Sequence, residues 1–219
     1  LRGLGSPQNT FANESFIDEL AAIAGVDAID YRIRHLKDER AIEVLKAVRE
    51  LAKWDTRPSG TRRGGTGRGV AFVQYDNVSA YVAVSMDVRV DTQSGRVRVQ
   101  RVCVAHDCGL VVNPDGVRNQ VEGEVVQTIS RTLFEEVNFT QSAVTSLDWL
   151  TYRLLKFPEL PAQVDVVLVD RPDQPPVGAG EPTCAVIPSA IASAVYDAVG
   201  VRPRTLPFNP ESIRALLKA

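Results

Sequence analysis

Residues 177–182 read Val-Gly-Ala-Gly-Glu-Pro, a single carboxylate bracketed by two glycines and a proline. Glycine lacks a Cβ, so its backbone can take positive φ or press against a ligand. Proline fixes the chain just after Glu181 and brings no N–H of its own. A carboxylate on such a loop suits proton transfer, and burial would raise its pKa towards the working range of a general base. The same residues also suit an ordinary turn with a solvated Glu. Cys103, His106 and Cys108 form a second reactive group. Zinc wants a full ligand set, often from paired cysteines. On a strand, Cys103 and Asp107 point to one face while His106 and Cys108 point to the other, so only a bulge would unite them. The group therefore reads as two buried thiols and a strand-end His, and no metal ligand is assigned. Arg2, between Leu1 and Gly3, carries a guanidinium fork that suits an anion. It equally suits a frayed terminus. Gln120 offers both a donor and an acceptor; by pattern alone it is a solvated helix residue.

The elements that must hold these groups can be read in turn. Behind Glu181, Ile187, Ile191, Ala194, Val195 and Ala198 share one helical face, and Gly200 is a suitable residue to end the helix. A stiff helix thus anchors the glycine-lined loop. Residues 1–9 read as a loop. Residues 11–24 read as a helix with Phe16, Leu20, Ile23 and Ala24 inward and Glu14, Asp18 and Glu19 on a solvated face. Asp27 opens a second helix as N-cap. A third, over about 40–53, turns Ala41, Val44, Leu45, Val48 and Leu51 inward. Residues 55–69 form a connector whose Arg57, Arg62, Arg63 and Arg68 read as solvated.

From Gly69 the period changes to two. Residues 81–91 and 96–107 are strands joined by the turn Thr92-Gln93-Ser94-Gly95. A helix runs from Gly116 to about Glu136, with Val117, Val121, Val125 and Ile129 in one stripe. Residues 138–162 read as a polar loop with Phe139, Trp149, Tyr152 and Phe157 as aromatic anchors. Residues 163–170 are a further strand, and a short helix starts at Asn209-Pro210. The organisation is a helical segment, 1–57, followed by an α+β body, 68–219.

The totals set outer bounds. The chain has 219 residues, enough to bury a sizeable core. A net charge of −2 argues against a broad nucleic-acid footprint. No run reaches the roughly 18 apolar residues of a spanning segment, so no membrane partner is expected. Three cysteines are sparse for a secreted scaffold, which points to a reducing compartment. The first residue is Leu1, so a processed or truncated product is expected.

Several segments together resemble one family. Arg2-Gly3-Leu4-Gly5-Ser6-Pro7-Gln8 with Glu14 to Leu20 is similar to the molybdenum hydroxylases, the xanthine dehydrogenase and aldehyde oxidase superfamily. Asp107-Cys108-Gly109, Asn113-Pro114 and Gln120-Val121-Glu122-Gly123 resemble it again. So do Gly178-Ala179-Gly180-Glu181-Pro182, Pro188-Ala190-Ile191 and Leu206-Pro207. Their order and spacing cover nearly the whole chain. The pattern resembles the C-terminal part of the molybdopterin-binding large subunit, of the isoquinoline 1-oxidoreductase beta type.

The resemblance implies an α+β molybdopterin-binding fold and an oxidoreductase that hydroxylates an aldehyde or an N-heterocycle. It implies a metal-bound oxygen as attacking group, Glu181 as general base, and electrons leaving through iron–sulfur clusters on a partner subunit. Arg2, Gly3, Gln120 and Gly180 match cofactor-binding positions. Leu4 stands where relatives acting on aromatic heterocycles carry a stacking Phe, which implies a different substrate pocket. The family's glycine- and glutamine-rich cofactor loops are absent. The N-terminal part of the large subunit is therefore expected as a partner that holds most of the molybdenum–molybdopterin. Glu124 and Thr128 stand where relatives often have glycine, and a bulky acid there is expected to crowd the cofactor. The alternative is a non-catalytic interaction module of the same fold. A cytoplasmic location is expected, although relatives also occur in the periplasm.

Overall fold

The computed structural model describes residues 1–60 and 64–218. Three helices open the chain: α1 (Ser6–Ile23), α2 (Ala28–His35) and α3 (Glu39–Ala52). Two of them start on side-chain caps. Asp27 accepts from the backbone N–H of Ile29 and Asp30, and Asp38 accepts from that of Arg40. Four strands follow, β1 (Thr66–Gln74), β2 (Tyr81–Val90), β3 (Val97–Asp107) and β4 (Gln163–Leu168). They form one sheet in the order β1-β2-β3-β4. The first two pairings are antiparallel and β4 joins β3 in parallel. Between β3 and β4 runs α4 (Pro114–Leu133), and after β4 come α5 (Pro182–Val199) and α6 (Pro210–Lys218). The expected α+β class is what forms.

Strand alternation sorts the core onto the two faces of the sheet. Val82, Val84, Met86 and Val88 pack with Val186, Ile187 and Ile191 of α5 and Val125 of α4. Tyr81 and Ala83 face the other way and pack with Ile29, Val44, Leu45 and Val48 of α2 and α3. The β2–β3 turn is fixed by Asp91, which accepts from the N–H of Gln93 and Ser94. Gly95 supplies the positive φ of 74° there.

The first helix differs from its sequence reading. It begins at Ser6, inside the expected loop, and Phe16 and Ile23 point outward. Its buried residues are Thr10, Glu14, Asp18 and Ala21. Glu14 pairs with Arg32 at 2.8 Å and accepts from the Phe72 N–H; Asp18 pairs with Arg202 at 2.8 Å. These carboxylates are therefore inside, because their partners arrive from distant segments. Arg57 grips Asp197 of α5 through two bonds of 2.7 and 2.6 Å. Arg68 is buried with its guanidinium 3.9 Å from the Trp54 ring centre. Neither is solvated as expected; Arg62 and Arg63 lie outside the described residues. The expected aromatic anchors Phe139, Trp149 and Phe157 are exposed, whereas Tyr152 donates to Glu135 at 2.7 Å.

The fifth helix is buried on nearly every side. It is long and apolar enough to meet a membrane-span criterion by composition, but 89% of that stretch is packed inside the fold. It is a central core helix, and Glu181 sits at its N-cap.

Candidate active site

Glu181 belongs to the glycine loop, and its carboxylate is claimed by two other segments. Oε1 accepts the Gly3 backbone N–H at 3.0 Å, and Oε2 accepts the Tyr75 hydroxyl at 2.9 Å. Both bonds favour the charged form. The Gly3 N–H first, and the Tyr75 hydroxyl after it, hold the Glu181 pKa below the ordinary glutamate value. The expected upward shift is thus reversed, because Glu181 is only part-buried and is well supplied with donors. Burial and the bond to Glu181 push the Tyr75 hydroxyl pKa upward, so it stays a donor. Nothing in the sequence marks Tyr75 as a site residue. It follows β1 directly, and only the fold brings it to the loop.

Arg2 is anchored rather than frayed. Its Nε donates to the Gly180 carbonyl, and its Nη2 donates to Gln120 Oε1 at 2.8 Å. The same Nη2 lies 3.4 Å from Glu124 Oε1. Arg131 in turn donates to the Arg2 carbonyl at 2.7 Å. Gly3 has φ of 94°, and an added Cβ would meet Pro7 Cγ at 2.9 Å and Cys184 Cβ at 3.3 Å. Only glycine fits there. Arg2, Gly3, Gln120, Gly180 and Glu181 are therefore brought together. Leu4 follows with φ of 47° and is 68% exposed.

Glu124 is fully buried on α4. Its Oε2 accepts the Cys184 N–H at 3.0 Å, in the first turn of α5. A carboxylate at a helix N-terminus meets backbone donors and the positive end of the dipole. The side chain that the sequence places towards a cofactor turns inward to α5, with its other oxygen facing Arg2. Burial nonetheless pushes its pKa from 4.5 up to about 7, against the pull of Arg2 and the Cys184 N–H. Between these two values the unfolded chain has released the proton while the folded chain keeps it. Rising pH across that window therefore favours unfolding. We expect stability to fall by on the order of 2 kcal/mol between about pH 5 and pH 7.5 from this group. Urea unfolding at the two pH values checks it: Glu124→Gln should lose that slope, and a slope equal to wild type would refute the assignment.

Beside Gln120 and Gly180 lies a cavity of about 380 Å³. Its lining includes Cys108, Asn113, Val117 and Val177. Of the other reactive groups, Asp107 is fully buried between Arg40 at 2.6 Å and Arg171 at 3.0 Å. Burial lowers the His106 pKa to about 4, and neither ring nitrogen finds a partner among the described residues. No group of three or more His, Cys, Asp or Glu among the described residues could hold a metal ion. A metal at this site would have to arrive with its own ligands. The residues fit one edge of such a group: the Gln120 carboxamide and glycine backbone border the cavity, and the Arg2 guanidinium is bonded to both Gln120 and Gly180.

A family model described as a molybdopterin cofactor-binding domain matches residues 12–161. The chain is 46% identical over 228 residues to one subunit of the nicotinate dehydrogenase of Pseudomonas putida, covering 99% of this chain and 19% of that protein. It is 33% identical over 211 residues to the isoquinoline 1-oxidoreductase beta chain of Brevundimonas diminuta, covering 96% and 26% respectively. The chain thus spans between about a fifth and a quarter of the length of these relatives. Its fold matches aldehyde oxidoreductase from Desulfovibrio gigas with a TM-score of 0.82 at 16% identity, over 100% of this chain and 42% of that one.

Proposed function

Because the chain belongs to the molybdopterin cofactor-binding family of the molybdenum hydroxylases, we propose that it is the C-terminal portion of an oxidoreductase large subunit with Glu181 as general base. The observation that carries this reading is the doubly anchored carboxylate, fixed by Gly3 and Tyr75 on a glycine loop beside Gln120. The substrate class is an N-heterocycle or an aldehyde. The two relatives named for nicotinate and isoquinoline favour the heterocycle.

When bound, molybdenum–molybdopterin supplies the two-electron redox chemistry. Gln120 and Arg2 would hold its edge, and the N-terminal part of a longer subunit would hold the rest. Relatives named as subunits support a subunit partner; we propose an iron–sulfur subunit in that place, as the electron acceptor. The role of this chain is proton handling. Glu181 is ionised at neutral pH and ready to accept a proton at an Oε atom. The Gly3 N–H and the Tyr75 hydroxyl fix where that atom points, which is how positioning lowers a barrier. Loss of water on ligand binding opposes these bonds and moves the carboxylate towards a stronger base.

Tyr75→Phe removes one of the two bonds that favour the ionised form. The acid limb of the rate profile should therefore shift to higher pH, because Glu181 then protonates at higher pH. A rate profile with an unmoved acid limb would remove Tyr75 from this role. The reading as a whole is tested by molybdenum analysis of the chain alone and of the chain co-expressed with the missing part of the subunit. Molybdenum only in the second sample supports it. Molybdenum in neither leaves a non-catalytic interaction module.

A further inference from the structure

Glu124 takes no part in the proton handling above, yet it is a fully buried carboxylate beside the site. Its two oxygens serve two different segments. Oε1 faces the Arg2 guanidinium at 3.4 Å, and Oε2 accepts the Cys184 N–H at 3.0 Å. Cys184 lies in the first turn after Glu181, and Arg2 precedes the Gly3 that donates to Glu181. We infer that Glu124 is a positioning residue, a buried brace that ties the Arg2–Gly3 arm to the first turn of α5 and so fixes the donors around the Glu181 carboxylate.

The geometry excludes a merely local cap. A cap would need only the Cys184 N–H. Here the same carboxylate is the only acid paired with Arg2 among the described residues. Arg2 in turn reaches Gly180, directly before Glu181. The charged and titratable groups around the brace are Arg2 from the N-terminal arm, Arg131 from α4, the neutral Cys184 thiol of α5 and Glu181 at its N-cap. Removing Glu124 leaves Arg2 with neutral acceptors only, and the arm with its Gly3 N–H is free to leave Glu181.

The inference rests on the reading of Glu181 as base, but its test needs neither cofactor nor substrate. The test follows the ¹³C carboxyl shift of Glu181 through a pH titration of the 219-residue chain, together with amide exchange at Gly3 and Cys184. In Glu124→Ala the Glu181 midpoint should rise towards the ordinary glutamate value, and both amides should exchange about tenfold faster. Glu124→Gln keeps an acceptor for Cys184 but no charge for Arg2. Above pH 7, where wild-type Glu124 is ionised, it should leave Cys184 protected while the Gly3 amide exchanges about tenfold faster, and it carries the test if the alanine variant does not fold. Asp197→Asn cuts an ion pair at the far end of α5 and should leave the Glu181 midpoint in place. An unmoved midpoint in folded Glu124→Ala overturns the brace, as does wild-type Gly3 exchange in Glu124→Gln above pH 7 or an equal rise of the midpoint in Asp197→Asn. Should Glu181→Gln keep full turnover, the base assignment fails while the titration result stands by itself.

Discussion

Glu181→Gln in the assembled enzyme is expected to lower turnover by about 10²- to 10⁴-fold, the range for loss of a general base, while molybdenum content stays at the wild-type level. The two halves of this result come from separate features. Gln keeps the volume of Glu and one acceptor oxygen, so the Gly3 N–H or the Tyr75 hydroxyl retains a partner. What it loses is the capacity to accept a proton. The group that would hold the cofactor edge, Gln120 with Arg2, does not use the Glu181 side chain. Turnover and metal content measured on one preparation therefore separate chemistry from assembly. Full turnover with metal present would remove Glu181 from the mechanism. Loss of both would move it to the binding side of the site.

The sequence carries the site's local chemistry better than its electrostatics. Two glycines, a Glu and a Pro in a row suffice to mark the loop, and the apolar run behind it marks the helix. Caps such as Asp27 and the turn at Gly95 are local and follow from residue type. What escapes is anything decided by a distant partner. Glu14 and Asp18 look solvated until Arg32 and Arg202 arrive to pair with them. Tyr75 has no neighbour in sequence that marks it, yet it shares Glu181 with Gly3. The direction of the Glu181 shift depends on those two donors, so a window around residue 181 predicts the wrong sign. Glu124 shows the converse. A charged residue on a helix reads as an intrusion towards a cofactor, and its contact with the first turn of α5 shows only in the fold.

Gly69→Ala is expected to cost about 3 kcal/mol or more of stability, a large share of what a domain of this kind possesses. A methyl group in a strand interior would ordinarily help slightly, since glycine has more conformational freedom to lose. Here the sign is set by space. A Cβ at Gly69 would fall 2.2 Å from the Ala190 carbonyl oxygen and 2.4 Å from the Ala194 nitrogen. At Gly67 the corresponding distances are 2.3 Å to the Ala194 oxygen and 2.4 Å to the Ala198 nitrogen. These are backbone atoms of a buried helix, so no side chain can swing aside. The helix must instead lift from β1, opening the core at Ile187 and Ile191 and moving the end that bears Glu181. Urea unfolding of Gly69→Ala against Gly178→Ala makes the comparison, because a Cβ at Gly178 meets nothing within 4 Å. A large loss in the first and little change in the second would show that Gly69, under an alanine row, seats the helix that carries the site. Equal stability in both would mean that α5 does not rest on β1 as described, and the placement of Glu181 beside Gly3 and Tyr75 would fall with it.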